Sequence, residues 1–143
     1  MKFILEKIRQ RLWKLLAKLY PIYLNKIYGM KIAKSAIISY RAKLDKSINP
    51  EGIHIGDYSW VLANAVIATH DHCRNLKQDV YIGKYCIIGI NSIIMPGIKI
   101  SDHVVVGAGA VVTKDIPAHC IVAGNPSKII KRGISINKQG QII

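Results

Sequence analysis

The stretch "IGKYCIIGINSIIMPGIKISDHVVVGAGAVVTKDI", residues 82–116, decides the fold. Within it Ile82, Ile88, Ile94, Ile100, Val106 and Val112 stand six apart without exception. Four residues after each comes a small or aliphatic side chain: Cys86, Ser92, Ile98, Val104, Ala110 and Ile116. The same phase runs upstream through Ile55, Val61 and Ile67, with Ser59 and Ala65 four residues on. It returns more faintly at Ile32, Ile38 and Leu44, with Ala36, Ala42 and Ile48. A helix repeats near 3.6 residues and a plain strand alternates with period two, so neither demands six. Short strands joined by tight corners, three sides to a coil, do demand it: this is the pattern of a parallel β-helix. The leading aliphatics then stack inside a triangular prism, the small residues fill its corners, and glycines such as Gly83, Gly89 and Gly107 ease the bends. The groups 32–49, 55–72, 82–99 and 100–117 predict an all-β domain of about four coils.

Two segments break the rhythm. "NPEGIH" (49–54) requires only a wider corner. "HDHCRNLKQDVY" (70–81) reads as a polar loop expelled between the second and third coils, and loops on a rigid scaffold tend to carry chemistry. His70 opens it, with Asp71 and His72 beside it.

Before the repeats lies "KFILEKIRQRLWKLLAKLY" (2–20), in which Ile4, Leu5, Ile8, Leu12, Leu15, Leu16 and Leu19 form one helical stripe. Pro21 is expected to end or kink that helix. Residues 1–34 hold nine basic residues and one acid, Glu6, a local net of +8. Two roles suit such a helix: capping the open end of the coil, or peripheral contact of residues 2–20 with an anionic membrane surface. After the repeats, "PSKIIKRG" suggests a short C-terminal helical turn carrying Lys128, Lys131 and Arg132, with Pro117 and Pro126 opposing a regular ladder. The chain thus divides into a basic amphipathic segment (1–28), the repeat coil (29–117) and a C-terminal segment and tail (118–143).

The whole chain of 143 residues is enough for one domain with a real core. Its formal net charge of +13 implies an anionic partner. The basic residues lack interleaved aromatics or a recognition motif, which argues against nucleic acid. Three cysteines without a CxxC suggest neither a disulfide framework nor a zinc knuckle, and a reduced setting fits. With no signal peptide and no long apolar window, the expected location is cytoplasmic, peripheral to the inner membrane face if the helix binds there. The His-Asp-His run offers metal ligands, but nothing else supplies a third or fourth, so no metal is expected. His54, His103 and His119 are expected to be simply exposed.

Residues 82–132, with the ending "GAGAVVTKDIP…AGNPSKII", resemble the hexapeptide-repeat acetyltransferases, a family that includes galactoside, maltose and polysaccharide-modifying enzymes. The resemblance covers about 55–132, and more loosely 32–132. It implies a left-handed β-helix, a homotrimer, and acetyl-CoA as co-substrate lying between neighbouring coils. It further implies a histidine beside an expelled loop acting as general base in a direct transfer. A local match to "THD" selects His70; counting from Ile55–Gly56 lands on His72, so both are candidates. Gly89–Ile90–Asn91 and Gly107–Ala108–Gly109 match stretches that hold the pantetheine arm. Thr113 and Lys114 match residues at the far part of CoA, and Lys128, Lys131 and Arg132 match a basic cluster near its phosphates. The implied activity is O-acetylation of a sugar hydroxyl in bacterial surface polysaccharide synthesis. Serine or a nucleotide-linked amino sugar as acceptor, or a non-catalytic β-helix scaffold, are the alternatives. The acceptor-contacting residues of the galactoside enzyme have no clear match, so acceptor identity does not carry over.

Overall fold

A computed structural model describes residues 1–143: one long helix followed by strands of two to five residues. Three parallel faces take these strands in rotation. Face one holds Lys31–Ile32, Ile53–Ile55, Val80–Ile82 and Lys99–Ile100. Face two holds Ile37–Ile38, Trp60–Val61, Ile87–Ile88, Val105–Val106 and Cys120–Ala123, and face three Lys43–Leu44, Val66–Ile67, Ile93–Ile94 and Val111–Val112. In register, the six-spaced aliphatics lie directly over one another, Ile38 on Val61, Val61 on Ile88 and Ile88 on Val106, and Val122 beyond the repeats continues the stack on Val106. They are buried, as are the corner residues Ala36, Ala42, Ser59, Ala65, Cys86, Ser92, Val104 and Ala110. Each buried Ile or Val contributes about 1.5–3 kcal/mol, so the stacked interior is the main source of stability.

The corners explain the polar exceptions. The buried Ser59 hydroxyl donates to the Gly83 carbonyl (2.7 Å) and accepts from the Cys86 amide (2.9 Å). Ser92 donates to the Gly89 carbonyl at 2.7 Å. Burial pushes the Cys86 thiol up to about 11, so it packs as a neutral small residue. Gly89 is obligatory: a Cβ there would sit 2.4 Å from the Val106 carbonyl oxygen.

Four expectations need correction. The N-terminal helix does not stop at Pro21 but runs Lys2–Tyr28 and ends at Gly29 in the left-handed conformation (φ 67°). Pro21 removes a helical hydrogen bond, yet its ring is buried against the coil and Leu24 beyond it is fully buried, so tertiary packing outweighs the local cost. The Asn25 side chain then pairs with the open edge of the first coil, donating to the Ile32 carbonyl (2.7 Å) and accepting from the Ile32 amide (3.0 Å). Second, Lys128–Arg132 is a strand rather than a helical turn. It pairs antiparallel with Cys120–Ala123, whose outer edge would otherwise be unpaired, and the prolines fall in the flanking turns. Third, Ile48 leaves the interior and is half exposed, because the chain turns out after Leu44 to bind Asp45.

Fourth, His103 and His119 are not idle surface groups. Tyr58, Tyr85, His103 and His119 occupy successive left-handed corners (φ 55–61°) and stack, with centroids 5.2, 4.9 and 4.9 Å apart. The tail lies along this ladder: His103 Nδ1 accepts from the Ile136 amide (3.0 Å) and His119 Nδ1 donates to the Ile134 carbonyl (2.8 Å). Ile134 and Ile136 are buried there. His54 stacks on Tyr81 at 4.2 Å and meets the Asp79 carboxylate.

Candidate active site

The expelled segment is a hairpin at the edge between faces three and one: His70–Asp71 pairs antiparallel with Leu76–Lys77. Its turn is braced by the Arg74 guanidinium, which bonds Asp71 at 2.7 Å and holds that carboxyl below the usual carboxylate range. Gln78 bonds back to the Thr69 carbonyl, closing the hairpin onto the coil.

At the hairpin's root His70 Nδ1 lies 2.5 Å from Asp45 Oδ2. Asp45 comes from the coil below, 25 residues earlier, and its side chain is only 3% exposed. The Thr69 hydroxyl also reaches Asp45 (2.8 Å) and the Asn49 carbonyl (2.7 Å), and the Ser47 and Ile48 amides donate to the same carboxylate. Burial by itself would raise the Asp45 pKa, but His70, Thr69 and these amides together pull it well below the ordinary carboxylate range. Asp45 is therefore ionised at neutral pH and acceptor-only, so Nδ1 carries the proton. Nε2 is left with a lone pair and no hydrogen bond inside the chain. The His70 side chain is 31% exposed. An oriented imidazole with a buried anion behind it can take a proton from a hydroxyl and is stabilised when it does so.

His72, the other candidate base, sits exposed in the hairpin turn, where only its carbonyl is engaged, by the Asn75 amide. The candidate cofactor residues fall into three groups. Gly89, Ile90, Asn91 and Ala108 line the edge between faces two and three, where the Gly109 amide donates to the Ile90 carbonyl (2.8 Å). Asn91 adopts φ 56° and Gly109 φ 69° with open space around it, so this edge is smooth and presents backbone. Thr113 and Lys114 are exposed on the His70 edge, two strand levels above Ile67, a rise of roughly 10 Å. Lys128, Lys131 and Arg132 spread across the outermost strand of face two, Lys128 beside Ala123 and Arg132 beside Cys120. Within one chain, face three separates His70 from the Gly89–Ala108 edge.

The sequence reading missed Asp45 and its support from Thr69 and Asn49. The one available signal was an acid directly after the leading aliphatic Leu44, in a chain with 8 acidic residues.

A model of the family described as bacterial transferase hexapeptide (six repeats) matches residues 79–114. The chain is 36% identical over 103 residues to the putative acetyltransferase YvoF of Bacillus subtilis, covering 71% of this chain and 59% of that protein. It is 28% identical over 138 residues to the putative colanic acid biosynthesis acetyltransferase WcaF of Escherichia coli, covering 78% and 74%. It also resembles the crystal structure of a maltose O-acetyltransferase from Clostridium difficile, with a TM-score of 0.63, 26% identity and coverage of 88% and 84%. The six-residue period, its realisation as three parallel faces and these likenesses agree: residues 79–114 carry the bacterial transferase hexapeptide repeat, and the chain, which spans 59% of the length of YvoF, is similar to acetyltransferases that carry it.

Proposed function

We propose that the chain is an acetyl-CoA-dependent O-acetyltransferase acting on a sugar hydroxyl of a surface polysaccharide or its precursor, through a left-handed coil of about four turns. The observation that carries this reading is the Asp45–His70 pair, with Nε2 turned out at the root of the hairpin. His70 Nε2 accepts the acceptor's hydroxyl proton as that oxygen attacks the thioester carbonyl carbon. When the tetrahedral intermediate collapses and the C–S bond breaks, the imidazolium returns the proton to the departing sulfur. Asp45 holds the ring and balances its transient charge.

The separation of site residues onto two edges supports a homotrimer. A pantetheine arm along Gly89, Asn91 and Ala108 of one copy meets His70 and the Thr113–Lys114 edge of a neighbour. The small residues at that edge suit close approach of an extended arm, and Lys128, Lys131 and Arg132 supply cations for phosphates.

Thiol release from acetyl-CoA against a panel of sugars, serine and amino sugars tests the reading. A sugar hydroxyl is expected to be the best acceptor, with His70→Ala slower by about 10²–10⁴-fold and His72→Ala nearly unchanged. Co-assembly of His70→Ala with Ala108→Trp tests the shared site. Each variant alone is expected to be strongly impaired, and mixed assemblies should regain activity if one intact edge from each copy suffices. Turnover by His70→Ala at the wild-type rate would overturn the assignment.

A further inference from the structure

The N-terminal helix packs on the coil by the wrong side for a simple cap. Its contact seam is Ala17, Pro21, Leu24 and Tyr28, spaced as one helical face, with Leu24 fully buried. At 100° per residue the aliphatic stripe of Ile4, Ile8, Leu12, Leu15 and Leu19 falls on roughly the opposite side. These five side chains are 49–61% exposed. Around the stripe the helix carries seven basic residues and one acid, with Lys7, Arg11, Lys14 and Lys18 along one flank and Arg9 along the other. Beside it, an apolar cleft of about 330 Å³ between helix and first coil is lined by Trp13, Leu16, Leu19, Tyr20, Tyr23 and Tyr40, so Leu19 stands at the margin where stripe and cleft meet. No helix of the chain is long and apolar enough to cross a membrane.

We infer that this outward face docks on the surface of an anionic lipid bilayer, the stripe sinking among the acyl chains and the flanking cations meeting phosphate headgroups. Charge decides between a bilayer and a second copy of the chain. Packing stripe on stripe would bring two rows of Lys7, Arg11, Lys14 and Lys18 together with one acid per helix to offset them, whereas anionic headgroups neutralise both flanks. The seam fixes the helix to the coil by its last turns, so docking holds the catalytic prism beside the bilayer, where lipid-linked saccharides present their hydroxyls. This inference rests on the helix alone and stands or falls separately from the acetyl transfer.

The test is co-sedimentation of the full chain with vesicles of phosphatidylcholine, with and without phosphatidylglycerol, in low and high salt. Binding to the anionic vesicles is expected to exceed that to neutral ones by at least about tenfold and to weaken with salt. Leu12→Glu with Leu15→Glu, and separately Lys7→Glu, Arg11→Glu, Lys14→Glu and Lys18→Glu together, should each lower it at least about tenfold. The unfolding midpoint of the coil and the assembly mass by light scattering should stay unchanged. Equal binding to both vesicle types, or none, overturns the inference. A fall in assembly mass for the Leu→Glu pair also overturns it, assigning the stripe to a second copy.

Discussion

Two histidine–carboxylate pairs share a neighbour, Asn49, and they are built differently. In Asp45–His70 the carboxylate is 3% exposed, takes five donors and meets Nδ1, leaving Nε2 free. In Asp79–His54 the carboxylate is 40% exposed, meets Nε2 at 3.2 Å, and the ring is stacked on Tyr81. Asn49 touches both, its backbone carbonyl sharing the Thr69 hydroxyl proton with Asp45 and its side-chain amide donating to Asp79. That amide, then His54, holds Asp79 below the usual carboxylate range. The contrast teaches that a His–Asp contact is not by itself a catalytic device. A buried, saturated anion behind Nδ1 fixes the ring and leaves Nε2 free to accept a proton, as the proposed function requires; a partly solvated anion on Nε2 occupies that nitrogen.

The contrast can be broken at several points. Removing the imidazole, His70→Ala, should cost the most, about 10²–10⁴-fold in kcat with the unfolding midpoint little changed. Asp45→Asn should follow at about 10²-fold in kcat with the KM for acetyl-CoA nearly unmoved, since the amide no longer enforces the tautomer. Asp45→Asn should also reshape stability against pH. The folded-state pKa of Asp45 is depressed, so its contribution is present above the unfolded value near 4 and is lost as pH falls below it. The wild type should therefore lose melting temperature between about pH 5 and 3 more steeply than the variant, by about 3–5 °C. His54→Ala and Asp79→Asn should change kcat by less than about threefold, as solvated ion pairs contribute little. A large kcat loss from Asp79→Asn would instead show the two pairs working as one network through Asn49.

The same division separates what could be read from the chain and what could not. Hexad phase determined which aliphatics are interior, Ile48 excepted, and where the hairpin leaves the coil, because six residues to each side of the prism make interior position a function of sequence number. It also brought His70 to notice, as a break in that phase. Tertiary structure decided the rest. Asp45 reaches His70 from one coil below, a contact set by stacking and by the length of the hairpin rather than by any local pattern. Burial of Pro21 and Leu24 carried the helix past its proline, the unpaired edge of Cys120–Ala123 drew Lys128–Arg132 into a strand, and left-handed corners lined up His103 and His119. Each of these outcomes depends on which surfaces meet, and local propensities of order 1 kcal/mol per residue are too small to decide that against burial and backbone pairing.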